Sequence, residues 1–466
     1  MLKIIIEKEL KEILGSSKFV FTFLVCSILI LLTFYVGARN YQINRSQYEA
    51  SVAENIRSMQ EVTDWRMVRH KIFLPPLPLS SLIGGVSNDI GRNIEMAGMG
   101  ELVATGSKYN EDPIYAVFRF LDLDFLFQII LSLFAILFTY NAVNGEKEGG
   151  TLALTFANPV PRDKYILGKL IGSFAALAVP LLIPMLLGSL LLPALGVPMT
   201  GQDWMKLAFV IFTGFLYFSV FLTLSVFMSI VMKQSSSSFL MMLVIWIMSV
   251  VVLPRASVII AGRAVDVPSV DEINSKKSKF SQQMSEDMFK KMATFKSSGE
   301  AQTAMQEFQK FMSDIQEENG KKTKENTDKL NEERNNRQSV QQDLAFGISR
   351  ISPSACFSLA ATNMAGTSLQ LINEFTDQAA AYQSVFKKFQ LEKTGSATGG
   401  GVMITVRSSG DEEKKINPAE LPQFRYNPPE FSKVLGKSII DLVILVIYNL
   451  IFFFGSFIAF LKYDLR

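Results

Sequence analysis

The run Phe19-Val-Phe-Thr-Phe-Leu-Val-Cys-Ser-Ile-Leu-Ile-Leu-Leu-Thr-Phe-Tyr-Val36 contains no charged residue. At about 1.5 Å rise per residue, such a helix reaches nearly across a hydrocarbon layer roughly 30 Å thick. Five similar runs follow, at residues 125–143, 165–192, 204–232, 239–253 and 439–460. Pro180 and Pro184 predict a bend in the third, because each removes a backbone donor. Of 466 residues, 49% are hydrophobic and 19% charged, and the apolar ones are gathered in blocks, which excludes a soluble globular enzyme. The chain reads as an α-helical polytopic membrane protein with six transmembrane helices.

Working outward, the short loops set the direction. Lys3, Lys8, Lys11 and Lys18 precede the first run, and Lys147, Arg162 and Lys164 lie between the second and third. Lys233 lies between the fourth and fifth, and Lys462 and Arg466 follow the sixth, whereas the loop at 193–203 has no Lys or Arg. The bias of Lys and Arg to the inside then places both termini in the cytoplasm. It leaves a cytoplasmic interfacial segment (1–18), a cytoplasmic loop (144–164), a cytoplasmic tail (461–466) and two extracytoplasmic insertions (38–124 and 254–438). Val36-Gly37-Ala38 resembles a secretory cleavage site, but the apolar stretch is long and Glu7, Glu9 and Glu12 precede it, so we read an uncleaved span.

Leu2, Ile6, Leu10 and Ile13 recur at helical spacing among Lys3, Glu7, Lys8, Lys11 and Glu12, a short amphipathic helix suited to the membrane interface. In the first insertion, residues 42–69 can be helical, and Leu74-Pro-Pro-Leu-Pro-Leu79 predicts an extended connector. The second insertion holds roughly half of the chain's charges and must be water-solvated. Phe280, Met284, Met288, Met292 and Phe295 form one helical stripe, and Met305, Phe308, Met312 and Ile315 another. Between Glu317 and Asp343 only Leu330 and Val340 are large and apolar, which predicts a solvated helix, a helical arm or a flexible segment. Residues 352–367 and 368–393 read as two further helices, 394–401 as a Gly/Ser loop and 402–406 as a short strand. The larger insertion is thus α-rich with a minor β element.

Catalytic parts are scarce. There is no G-x-x-x-x-G-K-[ST], H-E-x-x-H or G-x-S-x-G, and only one histidine (His70) and two cysteines (Cys26, Cys356). A zinc site, a disulfide framework and His-based catalysis therefore lack parts, and Met at stripe positions reads as core filler. A net charge of +3 gives no field for nucleic acid. No charged residue lies at mid-span, so the work of this chain is driven from outside it.

One dense signal remains: Gly145-Glu-Lys-Glu-Gly-Gly-Thr-Leu-Ala-Leu-Thr-Phe-Ala-Asn-Pro-Val-Pro-Arg-Asp-Lys164. Gly149 and Gly150 break the preceding helix, Leu152 and Phe156 give a short helix an apolar ridge, and Pro159 and Pro161 end it. Such a helix can seat in the groove of a cytoplasmic partner; an ordinary charged loop that only satisfies topology fits the composition equally well.

At these residues the chain resembles permease subunits of type-2 ABC exporters, in which a Glu-x-Glu-x-Gly-Thr-Leu segment and a Pro-Val-x-Arg segment link the second and third of six spans. Glu146-Lys-Glu148, Gly150-Thr-Leu152, Asn158-Pro-Val-Pro-Arg162 and Leu167-Gly-Lys169 carry the likeness, with Glu7-Lys-Glu-Leu10 and the closing Phe460-Leu-Lys-Tyr-Asp-Leu-Arg466. Ile351-Ser-Pro-Ser354 and Ala365-Gly-Thr367, after a large exported insertion, resemble the branch grouped with multicopper-enzyme-maturation permeases. The resemblance implies a non-catalytic subunit of a bacterial inner-membrane complex, with a second permease chain and P-loop ATPase subunits that hold ATP and Mg²⁺, this chain having no cofactor or metal of its own. It implies ATPase coupling through Glu146, Lys147, Glu148, Gly150, Thr151, Leu152, Phe156, Pro159, Arg162 and Lys164, and through Glu7 and Leu10 of the interfacial helix. Two functions are expected: export of a hydrophobic, lipid-like or peptide substrate, or a mechanical scaffold that regulates a periplasmic or surface partner while nothing crosses.

Overall fold

The structure, a computed structural model, describes residues 1–87, 91–96, 104–105, 122–295, 301–394 and 416–462. Among the described residues, six helices are long and apolar enough to cross a membrane: span 1 (Ser17–Met59), span 2 (Leu123–Glu148), span 3 (Arg162–Ala194), span 4 (Gly201–Val231), span 5 (Ser235–Ala264) and span 6 (Phe431–Leu461). The protein is a helical, multi-pass membrane protein. Span 4 is its central post, with 67% of its most apolar window buried against 17% for span 5 and 11% for span 6. Its start is fixed by a capping box, Thr200 Oγ1 accepting from the Asp203 amide while the Asp203 carboxylate accepts from the Thr200 amide. Span 3 stays one helix of 33 residues through Pro180, Pro184 and Pro193.

Span 1 begins where the Ser16 hydroxyl accepts the Phe19 amide at 3.2 Å and runs unbroken for 43 residues, about 64 Å at helical rise. It passes straight through Val36-Gly37-Ala38 and ends outside the bundle in a second core. Spans 2 and 5 each contain a π-helical turn, Leu126–Leu131 and Met248–Val252.

Between those two turns lies the main departure from the sequence reading. The helix Pro353–Ala365 does not sit in a solvated insertion: Cys356, Phe357, Ala361 and Met364 are buried in the same core as the spans. The Phe357 ring lies 5.3 Å from those of both Phe127 and Tyr217. Thirteen residues rich in Ala, Ser and Thr are too short and polar to register as a membrane segment, yet small side chains let a helix fit among larger ones.

The second core gathers Met59, Ile72, Ile94 and Met96 with Leu371, Phe375, Phe386, Ile416 and Tyr426. A three-stranded antiparallel sheet lies here, β1 (His70–Phe73), β2 (Asn93–Met96) and β3 (Ala104–Thr105), in the first insertion where no strand was expected. The strand expected at 402–406 and the loop from 395 to 401 lie outside the described residues. Asn55, near the end of span 1, closes the outer edge of β1: its carboxamide donates to the Lys71 carbonyl and accepts the Lys71 amide, both at 3.1 Å. It also donates to His70 Nδ1 at 3.2 Å, and His70 packs against the rings of Tyr382 and Phe386. Burial pushes the His70 imidazole down to about 4.

Residues 255–349 form a separate compact unit. With α1 as Leu2–Leu14 and α2 as Thr151–Phe156, its two long helices are α3 (Val270–Thr294) and α4 (Ala301–Ser349), and the helices after it are α5 (Pro353–Ala365) and α6 (Gln370–Thr394). They run antiparallel: Gln341 donates to the Val265 carbonyl at one end, and Lys291 pairs with Glu318 at 2.8 Å toward the other. The solvated stretch from Glu317 to Asp343 is therefore a helical arm, half of a hairpin with Ile273 and Ile315 buried in its seam.

Candidate functional site

The last turns of span 2 are held from four directions. The Ser229 hydroxyl of span 4 accepts the amides of Val143 and Asn144 at 2.9 and 3.1 Å, and donates to the Asn144 side chain at 2.9 Å. The Glu148 carboxylate accepts the Ser235 amide and hydroxyl at 2.8 and 2.7 Å, capping the start of span 5. The Glu146 carboxylate turns toward span 3, accepting from the Tyr165 hydroxyl at 2.6 Å and pairing with the Lys169 ammonium at 2.9 Å. Lys169 also holds Glu9 of α1 at 2.6 Å, Ser173 donates to Glu9 at 2.9 Å, and Lys8 reaches Glu146 at 2.7 Å.

This is a buried ionic junction. Lys169, Glu9 and Glu146 are 3%, 4% and 7% exposed, so solvent does not screen the pairs. Burial pushes the Glu9 carboxyl above its ordinary range, against the pull of the Lys169 ammonium. The α1 helix can approach because span 3 presents Gly168 and Gly172, where an added Cβ would lie 2.7 Å from Ile5 Cγ2 and from Glu9 Cβ. Oxygens of Glu9, Glu12 and Glu146 lie within 4.8 Å of one another, a set that could ligate a cation, but Lys169 already supplies the counter-charge there.

Beyond Glu148 the chain turns at Gly150, whose φ of +72° favours a residue without Cβ, and α2 begins at Thr151, whose hydroxyl donates to the Glu146 carbonyl at 3.2 Å. The ridge expected to face a partner points inward instead. Leu152 is 1% exposed, and the Phe156 ring lies 5.2 Å from Tyr165 and 5.8 Å from Phe460. The exposed face of α2 carries Leu154, 71% exposed, with Thr151 and Ala153 beside it and Asn158 and Pro159 just beyond. Arg162, opening span 3, donates to the last carbonyls of span 6, Phe460 and Leu461, at 3.2 and 2.6 Å. Lys147 is half-buried and Lys164 exposed. In α1, Leu10 packs on the core, whereas Glu7 is exposed and pairs only with Lys3 at 3.8 Å; Lys8 and Glu9 are the α1 residues that enter the junction. Lys169, quoted in the sequence for the family likeness and not as a coupling residue, is the lone charge in the run 165–192.

A short helix with one exposed face is thus fastened, through its flanks, to the membrane spans and to α1. The chain belongs to the ABC-2 transporter family: the model described as "ABC-2 family transporter protein" matches residues 3–465. It is also similar to the "Probable ABC transporter permease protein NosY" of Pseudomonas aeruginosa, 36% identical over 80 residues, which cover 14% of this chain and 29% of that protein. The match thus spans under a third of that relative's length.

Proposed function

We propose that this permease subunit works in a bacterial cytoplasmic membrane with both termini, α1 and α2 on the cytoplasmic side, and that a separate P-loop ATPase holding ATP and Mg²⁺ seats on the outer face of α2 around Leu154. This chain then hydrolyses nothing; its part is mechanical. The observation that carries the reading is the fastening of α2: Ser229, Ser235, Lys169 and the carbonyls at 460–461 tie one short helix and its flanks to spans 3, 4, 5 and 6. A displacement of α2 by ATP-driven closure moves those spans together. Spans 1, 5 and 6 are the least covered within one chain, leaving faces for lipid and for a second permease chain. The movement either exports a hydrophobic, lipid-like or peptide substrate or reaches a periplasmic or surface partner as force. The second form is favoured by span 1, one rigid helix from the α1 end of the bundle into the outer core.

Both native cysteines are buried, which makes introduced ones selective. A membrane-impermeant maleimide added to intact cells should label Ser384→Cys, exposed on α6, and should reach Leu154→Cys only after permeabilisation. The reverse pattern would overturn the orientation, and failure of the tagged chain to retain any P-loop ATPase would overturn the partner.

A further inference from the structure

The arm formed by residues 255–349 joins the rest of the chain at two points, the span 5 residues just before Arg255 and the head of α5 just after Ser349. These two feet are bonded to each other, and Pro254 explains why. In the π-helical turn of span 5, the Leu253 amide donates to the Met248 carbonyl. The next acceptor in the ladder, the Ser249 carbonyl, falls opposite Pro254, which has no N–H. A buried carbonyl without a donor is costly, and it recruits one from elsewhere. The hydroxyls of Ser352 and Ser354 donate to it at 2.5 and 3.1 Å, and the Ser249 and Ser352 hydroxyls lie 3.3 Å apart. Ser352 and Ser354 are wholly buried. The second foot is also fixed to span 6: Arg350 forms a two-pronged pair with the buried Asp441 at 2.6 and 3.4 Å, and Tyr448 donates to the Ile351 carbonyl.

We propose that this serine clasp, Ser249 with Ser352 and Ser354, is the mount through which movement of spans 5 and 6 drives the α3–α4 arm. Span 5 is capped at its start by Glu148, so the α2 fastening and the arm's first foot lie on one helix. The second foot rides on span 6. A relative movement of the two spans must either turn the arm or break the clasp, and the clasp decides which. The proposal rests on the reading of α2 as the seat of an ATPase.

The test uses the full chain co-purified with its ATPase in lipid nanodiscs, spin-labelled at Ser285→Cys on α3 and Ser384→Cys on α6, both exposed. Electron–electron dipolar spectroscopy reads their separation with and without ATP. The natural sequence should show a nucleotide-dependent shift, and Ser352→Ala/Ser354→Ala should lose at least half of it while retaining the ATPase and its hydrolysis rate. Pro254→Ala, which keeps both hydroxyls but returns an N–H to compete for the Ser249 carbonyl, should lose it likewise, and it decides the matter if the double variant does not fold. A full-sized shift in the variant tested, or no shift in the natural sequence, overturns the proposal. Absence of any bound ATPase appears earlier, at purification, and is a failure of the underlying reading instead.

Discussion

Replacing Lys169 by methionine removes the one cation shared by two buried carboxylates. Its contacts of 2.6 Å to Glu9 and 2.9 Å to Glu146 are each worth roughly 6 kcal/mol at an effective dielectric of about 20, before the cost of drying the ions. That cost cancels much of the gain, so an intact junction adds little net stability; removing one member is different, because it leaves charge buried and unpaired, at about 3–5 kcal/mol. Glu146 keeps Lys8 and Tyr165, whereas Glu9 keeps only Ser173, so the penalty falls on the docking of α1. At about 1.4 kcal/mol per factor of ten, the ratio of docked to undocked α1 should fall by roughly two to three and a half powers of ten. Hydrogen exchange of the peptide covering residues 2–14, read by mass spectrometry on the full chain in nanodiscs, measures this directly. The triple variant Glu9→Gln/Lys169→Met/Glu146→Gln, with no charge left to strand, should regain most of the protection. Exchange of α1 in Lys169→Met within about threefold of the natural sequence would refute the reasoning.

Leu152→Ala empties a site that is 1% exposed and should destabilise the chain by about 2–5 kcal/mol, seen as a lower melting temperature in detergent. Gly150→Ala places a Cβ at a φ of +72° and should cost about 1 kcal/mol with space to spare, since nothing lies within 4 Å; a thermal melt as high as the original would contradict it. The second core should weaken on acidification. His70 titrates at about 4 in the fold against 6.5 in the open chain, so below 6.5 the unfolded state takes a proton that the folded state refuses. The loss runs from pH 6.5 down to about 4 and totals on the order of 3 kcal/mol. Fluorescence of Trp65, stacked edge-on against Phe389, follows it, and His70→Leu should flatten the slope.

The spans were legible because unbroken apolar runs have no other stable home, and the arm because residues 317–343 hold too little apolar surface to fold inward. Periodicity also identified the ridge Leu152–Phe156, but a ridge has a direction only once its neighbours exist, and Tyr165 and Phe460 turned it inward. In α1 the family resemblance pointed to Glu7 and Leu10, whereas the fold buries Glu9. No local signal marks a carboxylate whose counter-ion stands 160 positions along the chain. Helix α5 was recognised as a helix and misplaced, because hydropathy reports the mean character of a segment and not the small-residue packing that admits it to the bundle. The sheet escaped notice because strands of two to four residues among Pro and Gly leave almost no pattern.

The central claim, that a separate ATPase drives this permease through the outer face of α2, is tested most directly by ATP turnover in proteoliposomes. The purified chain alone should hydrolyse no ATP, and the complex with its P-loop subunit should. Leu154→Asp, a change at a site 71% exposed, should abolish binding of that subunit while leaving the melting temperature of the chain unchanged. Hydrolysis by the isolated chain, or a Leu154→Asp complex that assembles and turns over like the original, would contradict the account.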